Sequence, residues 1–233
     1  MEPTEEERVN TSGQTGSLAV EDSASRDARP SDQGTPWRSV DTDNSNDRLA
    51  EIVSAATVLF RNKGYHATTL DDIAHQVGFT KTAIYHYCNS KEDILFAIVE
   101  EVAQEALHRI GAIAERDAPV VERLHAILVE NARVVLENLD ANAVFHSEGS
   151  LLSPARASMV RQRVREYTQL VRDLYVTGVA NGELLDINPA VATATLLGAT
   201  TWVYRWFNPQ GRLSREQVAE QVAELLMAGY RRT

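Results

Sequence analysis

Apolar side chains recur along most of this chain at intervals of three and four residues, and no run alternates with a period of two. That is the spacing of helices with one buried face, not of strands. Leu49, Ile52, Val53, Ala56, Leu59 and Phe60 share one face of a helix predicted over residues 47–63, and Gly64 sits where its C-cap needs positive φ. Thr69 opens a second, short helix. With Asp72 three residues on it forms a capping box, and Ile73, Ala74 and Val77 supply the apolar face. Gly78 ends that helix, and a third runs from about Lys81 to Cys88. Ser90 with Asp93 caps a fourth over about residues 91–115. Longer amphipathic segments follow over about 119–138, 141–151 and 154–182, the last opened by Ser153-Pro154 and closed by Gly182. Asn188-Pro189 opens another that reaches Phe207. After the turn Pro209-Gln210-Gly211, Ser214 with Gln217 caps the last helix, which runs to about Gly229. The expected fold class is all-α.

Residues 1–46 break the pattern. They are acidic, rich in Ser, Thr, Gly and Pro, and poor in large apolar side chains, so burial does not offset the entropy of ordering them. A disordered acidic tail is expected there. Asp41, Asp43 and Ser45 imitate the start of a calcium loop, but Asn46 and Ile52 stand where that loop needs Gly and Glu, so a solvated linker is preferred. The remaining chain divides into a small helical unit, residues 47–93, and a larger one, residues 94–233.

The formal charge is -10, which taken alone speaks against a nucleic-acid partner. Much of it lies in the acidic tail, however, and what matters is the charge on one face of one element. A single cysteine, Cys88, excludes an internal disulfide framework and a Cys-rich zinc site. The N-terminus has no signal-peptide pattern, and no stretch is long and apolar enough to cross a bilayer. A cytoplasmic protein without metal or cofactor is expected.

Two short helices joined by a glycine turn and packed on a longer one make a helix-turn-helix. Its second helix would be the recognition element. Ile84 and Cys88, four apart, suit the buried side, which leaves Thr80, Lys81, Thr82, Tyr85, His86 and Tyr87 for solvent or DNA. Threonine hydroxyls can bond phosphate or base edges, lysine can reach phosphate or guanine, and tyrosines offer hydroxyls on rigid rings. Thr69 and Lys91, each at a helix start, are placed for phosphate. Plain helical bundles contain the same geometry, so these residues alone leave DNA binding open.

The block AATVLFRNKGYHATTLDDIAHQVGFTKTAIYHYCNSKEDIL, within Ile52–Leu95, resembles the DNA-binding domain of TetR-family repressors. It departs from the family pattern at Phe79, where Val is usual, and at Cys88, where Phe is usual. Cys88 is expected to be a buried small apolar residue rather than a redox switch, with Phe79 filling part of the gap. The resemblance implies that Thr69, Tyr85, Tyr87 and Lys91 contact phosphate and that Thr80, Lys81, Thr82 and His86 contact the groove of double-stranded operator DNA.

It further implies a homodimer paired through the last two long helices, with a small-molecule effector held between the middle helices and the penultimate one. Candidate effector residues are Phe145, His146, Tyr167, Tyr175, Trp202 and Trp206, with Arg163 or Arg205 for an anionic group. The segments GVANGEL and G-x-x-x-W-x-x-x-W-F-x-P-x-G-x-L-S are similar to those of TetR-family regulators of fatty-acid and sterol breakdown, which points to an acyl-CoA effector. A drug or an aromatic acid is the alternative effector class, and a helical adaptor that does not bind DNA is the alternative function. An enzyme is not expected. There is no nucleophile elbow, phosphate loop or H-E-x-x-H spacing, and His146-Ser147-Glu148 are merely adjacent.

Overall fold

The computed structural model describes residues 42–231, with side chains from residue 46 onward. The first helix, α1, spans Thr42–Lys63 and so begins before the expected residue 47. No Gly or Pro interrupts residues 42–47, and the acids Asp43 and Asp47 suit the positive end of a helix dipole. Asp43 and Ser45 therefore belong to a helix rather than a calcium loop, while Asp41 and the rest of the expected tail lie outside the described residues.

Gly64, at φ 84°, closes α1, and its N–H donates to the Phe60 carbonyl at 3.0 Å. Helix α2 spans Leu70–Gln76. The Thr69 hydroxyl accepts from the Asp72 N–H at 3.1 Å, and the Asp72 carboxylate accepts from the Thr69 N–H at 2.7 Å. Gly78, at φ 71°, turns the chain into α3 in a conformation other residues adopt only with strain. Regular α3 is short, Lys81–Ile84, against the expected reach to Cys88. Beyond it the chain keeps coiling with tighter bonds, from the His86 N–H to the Ala83 carbonyl at 3.1 Å and from the Tyr87 N–H to the Ile84 carbonyl at 3.0 Å. Ile52, Ala56 and Phe60 of α1, Ile73 and Ala74 of α2, and Ile84 and Cys88 at α3 are all buried, which holds the three helices together.

Helix α4, Lys91–Ala114, starts in this small unit and ends in the larger bundle, so the expected boundary at residue 93 falls in its first turn. Then come α5 (Val120–Glu137), α6 (Leu139–Glu148) with a 3-10 turn at Gly149–Leu151, and α7 (Pro154–Ala180). Helix α8 (Pro189–Thr201) tightens into a 3-10 turn at Trp202–Arg205, and α9 (Arg215–Tyr230) closes the bundle. Gly229 lies within α9 rather than capping it. Helix α5 packs against α4, α7, α8 and α9, and it buries Leu124, Ile127, Leu128 and Leu136 completely. Among the described residues there is no strand, only one isolated bridge between Leu184 and Arg231.

Gly178 of α7 shows how tight the bundle is. A Cβ there would stand 2.5 Å from Leu184 Cδ1, 2.9 Å from Leu184 Cγ and 3.0 Å from Val120 Cγ1. Gly178→Ala is expected to cost about 1–3 kcal/mol through overpacking, measured as a lower thermal unfolding temperature.

Candidate functional site

Ile84 is fully buried and anchors α3 to the small unit, so the residues around it turn outward. Lys81, Thr82, Tyr85 and His86 are exposed. Thr80 caps the helix, its hydroxyl accepting from the Ala83 N–H at 3.2 Å, which leaves its own O–H available to donate. Tyr87 is half-buried, its ring 5.8 Å from that of Phe79. Phe79 also lies beneath the Arg48 guanidinium at 5.7 Å. Cys88 is buried, and burial pushes its thiol up to about 11, which fits the expectation of an inert apolar residue.

The charges of this unit are close to balanced: between residues 47 and 93 there are five Lys and Arg against six Asp and Glu. Lys81 Nζ bonds the Asp71 carboxylate at 2.8 Å, and Lys63 Nζ bonds Asp72 at 2.8 Å. The Lys63 bond, with those from the backbone and hydroxyl of Thr69, holds the Asp72 carboxyl far below the usual range. Thr69 is exposed, but its hydroxyl already donates to Asp72 at 2.8 Å.

Lys91 corrects the expectation of an outward-facing cation. Its Nζ donates to the carbonyls of Tyr65 and Thr68 at 2.6 and 2.7 Å and lies 4.2 Å from the centre of the Tyr65 ring. Burial lowers its pKa. It fastens the loop between α1 and α2 to the start of α4, with two of its three N–H groups engaged. Sequence reasoning missed Tyr65 and Thr68 because they lie 26 and 23 residues from Lys91 and nothing local pairs them.

A second fastening ties the small unit to the bundle. Asp93 is buried, yet it accepts bonds from the N–H groups of Asn89 and Ser90, both at 2.8 Å, and from the Arg156 guanidinium of α7. Neighbouring Glu92 accepts from the Ser153 N–H at 2.9 Å and lies 3.5 Å from Arg156. Burial alone would raise the Asp93 carboxyl. The bonds from Arg156, Ser90 and Asn89 outweigh it and hold the carboxyl below the usual range. A carboxyl with a depressed folded-state pKa stabilises the fold above its unfolded value and loses that contribution as pH falls through the folded one. Thermal stability is therefore expected to start dropping as pH falls below about 5 and to go on dropping until the folded-state carboxyl is protonated, and Asp93→Asn should flatten the drop.

The expected effector residues divide into three groups. Phe145, His146, Trp202 and Arg205 come together around Tyr204. The His146 ring stacks on Tyr204 at 5.1 Å and meets Phe145 edge-on at 5.0 Å. Trp202 meets Tyr204 at 5.8 Å, with the Arg205 guanidinium 5.8 Å from the Trp202 ring. His146 keeps a solvent-exposed edge, yet packing of its ring lowers its pKa. Trp202 and Trp206 are 56% and 55% exposed, so they stand on the outer surface instead of lining a cavity within the chain. The 3-10 turn also spoils the one-face spacing that four residues would have in an α-helix.

The second group is on α7. Arg163 pairs with the buried Glu100 at 3.3 Å and with Glu166 at 3.7 Å, so it is not a free partner for an anion. Tyr167 is half-buried against the bundle core, and burial raises its pKa. Tyr175 stands apart and corrects its own expectation. It is fully buried, its hydroxyl donates to the Leu185 carbonyl at 2.8 Å, and its ring packs edge-on against Tyr230. Tyr175 is a satisfied core residue. A cleft of about 840 Å³ opens elsewhere, between α1, α4 and the junction of α5 with α6, and none of the eight effector candidates lines it.

This arrangement, a helix-turn-helix carried on an all-helical bundle, is matched along the chain. Residues 52–98 match the family model described as bacterial regulatory proteins, tetR family, and residues 117–230 match the tetracyclin repressor-like C-terminal domain. A solved TetR/AcrR-family transcriptional regulator from Thermobifida fusca is 57% identical, with 80% of this chain and 100% of that one covered, at a TM-score of 0.64. The chain belongs to the TetR family. Within this family it is 26% identical to the HTH-type transcriptional repressor KstR2 of Mycolicibacterium smegmatis over 184 residues, 78% of this chain and 90% of that protein. It is also 26% identical to AibR, solved in complex with isovaleryl coenzyme A and operator DNA, with 77% of this chain and 98% of AibR covered at a TM-score of 0.70. Its TetR-family relatives are transcriptional regulators. Among the described residues no helix is long and apolar enough to cross a membrane.

Proposed function

We propose that this chain is a ligand-responsive transcriptional repressor that binds a near-palindromic operator as a dimer in the cytoplasm and releases it on binding an acyl-CoA thioester. The observation that carries the DNA reading is the outward face of α3 and the turn that continues it: Thr82, Tyr85 and His86 are exposed, while buried Ile84 locks the opposite side. Lys81 joins them once phosphate replaces Asp71 as its partner. Thr80 also faces the groove, and Tyr85, Tyr87, Thr69 and the remaining N–H of Lys91 flank that face as phosphate contacts. Phosphate contacts set the register, and the groove-facing side chains read the sequence.

One such helix reads too few base pairs to be specific, so a second copy at a spacing of about 34–36 Å is needed. The bundle offers a surface for that pairing. Val191 of α8 and Leu225 of α9 are 57% and 76% exposed, and so is Trp206 beyond α8, at 55%. The acyl-CoA assignment draws on AibR and on the aromatic group around Tyr204, where Arg205 supplies a cation beside ring faces. Stacking and a guanidinium suit an anionic nucleotide-bearing ligand.

Selection from random duplexes, followed by fluorescence anisotropy with and without isovaleryl-CoA and longer acyl-CoAs, tests both halves. The selected sites should be inverted repeats, and the effector should weaken binding to them. Operator affinity unchanged by every acyl-CoA overturns the effector class. Failure to select any duplex favours the protein adaptor.

A further inference from the structure

The cleft of about 840 Å³ has walls from both parts of the molecule. Helix α1 reaches it with Val53, Ser54 and Val58, a stripe separate from the buried Ile52, Ala56 and Phe60 that hold the helix-turn-helix. Val102 of α4 and Val134 of α5 face them across the space. The volume is that of a small-molecule site.

Its charge is one-sided. Glu101, Glu105, Glu137 and Asp140 line it, against the guanidiniums of Arg109 and Arg215. The Arg109 guanidinium is already taken. Arg109 is held by Glu105 at 2.5 Å, Glu130 at 2.9 Å and Glu137 at 3.0 Å, and these bonds raise its pKa further. Arg215 Nε donates to the Leu136 carbonyl at 2.8 Å and its charge stays exposed, so four lining carboxylates stand against two guanidiniums. No ion pair among the described residues reaches Glu101, and Asp140 has only a loose contact with Arg61 at 3.8 Å. A concave site with apolar walls and surplus carboxylates concentrates a negative potential. A polyanion such as an acyl-CoA is repelled there, so this space is separate from the effector site proposed above.

We propose that the cleft between α1, α4 and the α5–α6 junction binds a lipophilic organic cation, with its apolar body against Val53, Val58, Val102 and Val134 and its charge facing Glu101 and Asp140. The site stands independently of the operator and of the acyl-CoA effector.

Titration calorimetry of the full chain, without DNA, tests it with two ions of matched shape, tetraphenylphosphonium and tetraphenylborate. The phosphonium is expected to bind one per chain and the borate not to bind. Glu101→Gln combined with Asp140→Asn should weaken the phosphonium at least about tenfold. Ser54→Trp, which fills the cleft from α1, should abolish binding. All three side chains are exposed, so the variants are expected to fold, checked by circular dichroism. Equal binding of the two ions, no binding of the phosphonium, or an unchanged affinity in either variant overturns the proposal.

Discussion

Lys81→Ala and Tyr85→Ala are each expected to weaken operator binding by about 1–3 kcal/mol per protomer, and so by about 2–6 kcal/mol for a dimer carrying the change twice. The fold should not suffer, because both side chains are exposed and neither supports the buried face of α3. The two variants should differ in kind. Lys81 offers a mobile charge, so its loss should lower the slope of affinity against salt by about one ion per protomer. Tyr85 brings no cation to the interface, so its loss should leave that slope nearly unchanged. Lys81 must also give up Asp71, at 2.8 Å, before it can meet phosphate. Asp71→Asn removes this competitor and should strengthen binding modestly. Anisotropy titrations at several salt concentrations check all three expectations. Wild-type affinity in both alanine variants would remove α3 from the interface.

Asp93→Ala is expected to cost about 3–5 kcal/mol of stability. Its carboxylate is buried and serves three donors from two parts of the molecule: the N–H groups of Asn89 and Ser90 and the guanidinium of Arg156. Truncation leaves the guanidinium half-shielded from water without its main partner, and it dismantles the capping box that starts α4. Asp93→Asn keeps the shape and removes the charge, so it should fall between wild type and alanine. Urea denaturation monitored by circular dichroism measures both. If Asp93→Ala unfolds at the wild-type urea concentration, the clamp contributes nothing.

The same clamp bears on regulation. Glu92 and Asp93 in the first turn of α4 are held by Ser153 and Arg156 at the start of α7, and Arg61 at the end of α1 approaches Asp140 in α6. A ligand that moves α7 would therefore pull on the helix-turn-helix through short, directional contacts, with the looser Arg61–Asp140 pair as a weaker link from α6. Coupling of this kind is reciprocal, so operator DNA should weaken acyl-CoA binding by the same factor that acyl-CoA weakens operator binding.

The features legible in the sequence are those whose partners lie within one helical turn. Thr69 with Asp72, Ser90 with Asp93 and Ser214 with Gln217 all form the capping boxes that their three-residue spacing announces. Gly64 and Gly78 take the positive φ that their places after helices demand. The apolar spacing placed Ile52, Phe60, Ile73 and Ile84 inside, and with them the outward face of α3. Local hydrogen bonding and side-chain periodicity fix such features whatever the rest of the chain does. The tertiary structure alone decided which long-range partner each polar or aromatic residue met. Lys91 turned to carbonyls in the preceding loop, Arg163 to Glu100, and Tyr175 to Leu185, while Trp202 and Trp206 were left on the surface by a tightened turn. The cleft, with its surplus of acid, exists only because α1 crosses α4 beside α6. Residue type and spacing define what a side chain can do, but helix packing sets what stands within 3 Å of it.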